Sequence, residues 1–225
     1  PEDREAAEGF IRSLVGLSSV RLREGSTQAS VALSSDALLR AADLNTKYND
    51  LDAQILLARS QIQRAGVHAH QARRDEALSL YRDAEVGLRQ YESDAPEHTE
   101  YLARAIRGQA VMLDDMGDNA AADERYAAAL DLFRDFVNQH PRDAVGKHRL
   151  MDLLYFYAER LEEQGKDNEA LEFHTERLTM AQALRAADPE DESAAVAVIT
   201  SHDAISHAQL ELGRFELAQQ SADAF

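Results

Sequence analysis

Eight histidines and several adjacent carboxylates are the side chains of this 225-residue sequence with metal or acid–base chemistry open to them. A metal-binding helix places two ligands about one turn apart, so that both reach a single ion. His68 and His70 are two residues apart, and His202 and His207 are five apart, so neither pair shares a helix face. The sequence has no H-E-x-x-H and no H-x3-H pair, so no metal or other cofactor is expected. Asp114 with Asp115 and Glu162 with Glu163 are adjacent carboxylates. Acid–base catalysis needs two carboxyls tuned differently within one cleft, whereas adjacent acids on a helix form a solvated face. No nucleophile elbow, Walker loop, H-R-D or D-F-G is present, and the expectation is that the chain is not an enzyme.

The elements that would position any site are set out by glycine and proline. Glycine falls 24 residues after Pro1, Pro141 and Pro189, at Gly25, Gly165 and Gly213, and 21 after Pro96, at Gly117. The opening Pro-Glu-Asp returns at Pro189. Three stretches align without gaps at a period of 48: residues 110–130, 158–178 and 206–225. In each, a small residue (Ala110, Ala158, Ser206) precedes the glycine by seven, and an alanine (Ala122, Ala170, Ala218) follows it by five. Leu154, Tyr157, Ala158 and Leu161 before Gly165, and Ala122, Tyr126, Ala129, Leu130, Phe133 and Val137 after Gly117, keep the helical period. Each glycine is therefore predicted to end one amphipathic helix at positive φ, and each proline to mark the start of another. Glu190, Asp191 and Glu192 suit the positive end of a helix dipole. The pattern is fainter in the N-terminal half, where Ala72 stands in the turn that glycine fills elsewhere and a boundary falls near Asn49 and Asp50. The predicted organisation is one all-α domain over residues 1–225, with five helical hairpins beginning near 1, 49, 96, 141 and 189. The fifth stops partway through its second helix, so the natural chain is expected to continue and to cover apolar residues near Ile205 and Leu217.

The small-residue, glycine and alanine spacing resembles the tetratricopeptide repeat, whose core reads (A/G)-x6-G-x4-A-x3-(Y/F)-x2-A. Ala110 to Ala129 matches all of it; the unit from Ala158 matches through Ala170 and then departs, with His174 and Arg177 at the aromatic and small positions. The resemblance implies a right-handed α-solenoid whose units, at 45 to 48 residues, have longer helices than the usual 34-residue repeat. Repeats of this length with boundaries such as Ala186-Ala187-Asp188-Pro189 also look like modules of bacterial serine/threonine kinases and transcriptional regulators.

On the family template, Arg59, Arg104 and Arg107 fall on the concave groove in the N-terminal half, and Asp152, Tyr155, Glu159, Asp203 and His207 in the C-terminal half. Tyr157 falls on the packing face, and Phe156 is expected to be buried against the neighbours of a lengthened helix. The resemblance thus implies a groove of two polarities that orients a bound protein or peptide, acidic part toward the arginines and basic part toward the carboxylates. It does not extend to the lysine and asparagine clamp of chaperone-binding relatives, because the groove lacks lysine.

Composition bounds the partners. The net charge is −17, with 17 acidic and 14 basic residues up to position 112, and 24 and 10 beyond it. Such a field opposes nucleic acid and anionic membrane and favours a basic or bipolar protein partner. With no cysteine, disulfides are excluded and the compartment stays open between cytoplasm and periplasm. No run has the roughly 18 apolar residues of a membrane span. Arginine outnumbers lysine 21 to 3, which together with abundant alanine suggests a GC-rich bacterial source. The function expected is a binding scaffold within a larger bacterial signalling protein. The alternative is a ligand-sensing domain of a receptor-type kinase or transcriptional regulator.

Overall fold

The computed structural model describes residues 4–223, in which ten α-helices form five successive hairpins with no strand among the described residues. In chain order they are α1 (Arg4–Arg23), α2 (Thr27–Tyr48), α3 (Leu51–His70), α4 (Arg74–Leu88), α5 (Pro96–Asp115), α6 (Asn119–Gln139), α7 (Ala144–Glu163), α8 (Asp167–Ala187), α9 (Glu192–Glu211) and α10 (Phe215–Ala222). The chain divides into two compact units, Pro1–Leu132 and Phe133–Phe225.

Each hairpin turns as its glycine requires. Gly25, Gly117, Gly165 and Gly213 have φ of 77°, 83°, 71° and 70°, the left-handed region that side chains disfavour. Ala72 takes the equivalent place in the second hairpin with φ 57°, so here the turn geometry overrides the residue's preference. At each turn the positive-φ residue and the one after it hydrogen-bond back to the helix's last carbonyls; in the third hairpin Gly117 N donates to Asp114 O and Asp118 N to Leu113 O. Above the turn, small residues twelve apart face each other across the hairpin. Ser18 and Ser30, both fully buried, are 3.0 Å apart at their hydroxyls, and Ser206 Oγ donates to Ala218 O at 2.9 Å. Ala65 with Ala77, Ala110 with Ala122 and Ala158 with Ala170 are all buried.

The helix starts correct one expectation. Among the described residues only Pro96 is a proline that opens its helix; Pro141 and Pro189 lie three residues before α7 and α9. The cap is the aspartate two residues on: Asp143 accepts from Gly146 N, and Asp191 from Ala194 N. Asp50 does the same for α3, accepting from Ala53 N, directly after Asn49 closes α2 at φ 48°. An aspartate accepts the helix's unpaired first N–H groups, which proline only omits. The opening Pro-Glu-Asp lies outside the described residues.

Caps also tie neighbouring hairpins together. Arg4 Nη1 and Nη2 donate to the two oxygens of Asp50 at 2.6 and 2.9 Å, and His148 Nε2 lies 2.9 Å from Asp191 Oδ2. The Arg4 hydrogen bonds, with that from Ala53 N, hold the Asp50 carboxyl below its ordinary pKa.

Within the first unit, Tyr81 of α4 lies against α5 at Gly108, where an added Cβ would stand 2.3 Å from the ring. In the second, Gly146 of α7 makes the same allowance for Phe136 at 2.5 Å. Ile205, expected to stand bare, is instead buried, because its repeat mate Tyr157 belongs to the face that packs inside the hairpin, against Phe173. Leu217 is half exposed, as are Ile199 and Leu210.

Candidate binding surfaces

The first helices of the first three hairpins, α1, α3 and α5, pack side by side and enclose a cleft of about 380 Å³. Its apolar floor comes from Val15 and Val20, and its polar wall from Arg23, Arg59, Gln63, Tyr101 and Arg104. Tyr101 is almost wholly buried and fixes the arginines: the Arg59 and Arg104 guanidinium carbons lie 5.9 and 5.2 Å from its ring centroid. Burial pushes the Tyr101 phenol above its ordinary pKa, so it remains a neutral hydrogen-bonding group. Three arginines and no acidic side chain line the cleft among the described residues. Arg104 Nη1 is 3.4 Å from Glu100 Oε1, one turn back on the same helix. A cluster of this kind attracts an anion, and stacking on an aromatic ring holds the guanidinium planes in place for it.

Of the groove arginines, the structure brings Arg59 and Arg104 together here. Arg107 is half-buried and does not line the cleft. Arg23 and Tyr101 carry no distinguishing spacing, and sequence reasoning missed both.

The second unit is organised around α8. His174 has no exposed surface, and burial, reinforced by the charge of Arg177, lowers its pKa to about 4. The ring is therefore neutral at pH 7, and its Nε2–H donates to Glu162 Oε1 at 3.2 Å, a hydrogen bond rather than an ion pair. Arg177 is buried against α9 and lies 4.8 Å above the Tyr155 ring. The Tyr155 hydroxyl donates to Glu159, and its pKa is pushed up to about 12, by that bond first and then by burial. Asp152 lines a second pocket, with Arg177. Asp203 and His207 are exposed on α9, with His207 Nε2 4.0 Å from Glu211, and neither lines that pocket. Phe156 is 46% exposed, against the expectation of burial: the nearby Leu154 and Tyr157 take the packing face, and the helical period turns Phe156 away from it. Among the described residues, no three His, Asp or Glu side chains converge as metal ligands.

No family model and no curated protein matches the sequence. Solved structures do match the fold. BtubC (BKLC) from P. vanneervenii superposes with a TM-score of 0.74 over 96% of this chain and 78% of that one, at 18% identity. The fold is that of a TPR-like repeat protein. A Podosopora anserina putative kinesin light chain with nearly identical TPR-like repeats gives a TM-score of 0.63 over 97% of this chain and 94% of that one, at 17% identity. The apo form of RapI gives 0.58 over 99% and 82%, at 13% identity. The TPR-like arrangement explains why α1, α3 and α5 share a face: they are the first helices of consecutive hairpins. No helix among the described residues is long and apolar enough to cross a membrane.

Proposed function

We propose that this chain is a non-catalytic protein-interaction module that docks an acidic peptide segment in the cleft between α1, α3 and α5. The observation that carries the reading is Tyr101 flanked by Arg59 and Arg104 in a lining without a carboxylate. In a protein of net charge −17, a local cluster of arginines that its own acids leave largely uncovered is a place where partner charge completes the electrostatics. Buried tyrosine and arginine anchors are the residue types that dominate binding energy at protein interfaces.

The one-domain organisation over residues 1–225 belongs to the same reading, as does a place in a larger bacterial signalling protein. The arginine-rich, lysine-poor composition and the long repeat period support that placement. Basic segments are left to the carboxylates of the second unit, Asp152, Glu159 and Asp203.

Peptide display against the whole chain tests the proposal. Selected sequences enriched in aspartate and glutamate, and lost from an Arg104→Glu/Arg107→Glu double variant with unchanged circular dichroism, are the expected result. Selection of neutral or basic sequences that the double variant keeps would refute it. An Arg104→Glu single variant then separates the cleft residue from Arg107.

A further inference from the structure

The second unit holds a buried cation that makes no direct ion pair within its own fold. Arg177 is 8% exposed, and its Nη1 donates to Ala197 O at 3.2 Å, Thr200 Oγ1 at 2.9 Å and Ser201 Oγ at 2.7 Å. All three acceptors are neutral. Its Nε is buried and has no acceptor. Among the described residues no carboxylate contacts it, and burial lowers its pKa. A guanidinium placed this way carries a desolvation cost that neutral acceptors offset only in part.

Arg177 is also a wall of an open pocket of about 360 Å³ between α7 and α9. Asp152 of α7 and Glu192 of α9, both exposed, stand at this pocket, and Met151, Val196 and Ala197 supply an apolar side. Asp152 and Glu159 are near enough for their charges to act on Arg177, yet Asp152 pairs with Arg149, at 4.0 Å, and Glu159 accepts from the Tyr155 hydroxyl. The first-turn N–H of Ala194 is already taken by the cap Asp191, so the buried guanidinium, not the helix end, is the anion-binding group. The pocket therefore offers a buried positive charge, two exposed negative charges and an apolar wall.

We infer that this pocket binds a small zwitterion, an α-amino acid with an apolar side chain, its carboxylate on Arg177 and its ammonium held by Asp152 and Glu192. A simple anion would meet the two carboxylates, and a simple cation would leave Arg177 unpaired. Only a molecule carrying both charges satisfies both. The inference stands apart from the arginine cleft of the first unit, whose residues it does not use.

Calorimetric titration of the whole chain with leucine, isoleucine, valine and methionine tests it. At least one should bind saturably in the millimolar range or tighter and raise the Tm. For the best ligand, the amide that lacks the carboxylate and the acid that lacks the amine should each bind at least about tenfold more weakly, the loss of one charged hydrogen-bonding group. Asp152→Asn, at an exposed position, should keep the fold and weaken binding by about tenfold, and Arg177→Gln should abolish it. If Arg177→Gln does not fold, Asp152→Asn and the two analogues carry the test alone. Absence of saturable binding by all four amino acids, equal binding of the amide, or full affinity in Asp152→Asn would each overturn the inference. Failure here leaves the acidic-peptide reading untouched, since peptide binding is read out at Arg59 and Arg104.

Discussion

Two helices built on one repeat position behave differently. In α4 the sequence Ala77, Tyr81, Ala84 follows the template: the alanines are fully buried, and the Tyr81 ring fills the space above Gly108. In α8 the same positions are Ala170, His174 and Arg177. Ala170 is as buried as Ala77, so the hairpin closes in the same way, but the next two positions place an imidazole and a guanidinium where α4 places a ring and a methyl group. The α4 layer is held by close packing, which is sensitive to volume and indifferent to pH. The α8 layer is held by directional bonds from groups that can titrate or stay charged, so it turns a packing position into a polar site. Positions that set backbone spacing stay small, alanine or serine, whereas those one and two turns further along can be exchanged for chemistry.

The largest expected effect bears on the α4 side of this contrast. Tyr81→Ala should destabilise the chain by about 3–5 kcal/mol, as large-to-small changes of buried aromatics do, read as a lower denaturation midpoint. A loss under about 1 kcal/mol would mean that the ring above Gly108 is dispensable.

On the α8 side the expected effect is a pH dependence. His174 has a folded pKa near 4 against an ordinary 6.5, so between these values the unfolded chain binds the extra proton. Stability should fall by about 3 kcal/mol as pH drops from roughly 6.5 to 4. His174→Tyr, which restores the α4 residue, should flatten that segment of a pH–stability curve measured by denaturant titration. Glu85, whose burial opposes ionisation but is outweighed by bonds from Gln109 and Arg89, sits below its ordinary carboxyl value. Its contribution is lost at lower pH, as the medium falls through that depressed pKa, and is common to both proteins.

Smaller effects sharpen the packing side. Gly108→Ala, forced against the Tyr81 ring, should cost about 1–3 kcal/mol, and combining it with Tyr81→Ala should recover part of that, the signature of a direct contact in a double-mutant cycle. Ala72→Gly should stabilise by about 1 kcal/mol, because the residue already holds a φ of 57° that glycine adopts freely; Gly117→Ala should do the reverse.

Much of this fold was legible in the sequence because its hairpins are enforced by steric rules that leave fixed marks: Gly117, Gly165 and Gly213 at positive φ, and small residues twelve apart across each turn. Helix starts were read less well, since Pro141 and Pro189 are conspicuous while the aspartates that cap α7 and α9 two residues later look like surface charge. Phe156 went wrong because a template for shorter helices fixes the packing face but not what a longer helix exposes. The arginine cleft was half legible: Arg59 and Arg104 follow from helix phase, but Tyr101, which orders them, looks like any core tyrosine. Arg177 was visible only as a departure from the repeat at a position that should be small. That departure is the one sequence signal of the second pocket. The same departures, with a 48-residue period, set this sequence apart from the usual 34-residue repeat.

The measurement that bears most directly on the proposed function is a charge-swap binding experiment on the cleft of the first unit. A fluorescent peptide alternating glutamate with leucine, and its lysine counterpart, are titrated into the wild-type chain, an Arg59→Glu/Arg104→Glu variant and a Glu124→Lys control, at low and physiological salt. The wild type and the control should prefer the acidic peptide and lose affinity as salt rises. The double variant, still folded, should bind it at least about tenfold more weakly. Undiminished, salt-independent binding of the acidic peptide by the double variant would contradict the assignment of Arg59, Tyr101 and Arg104 as the docking site.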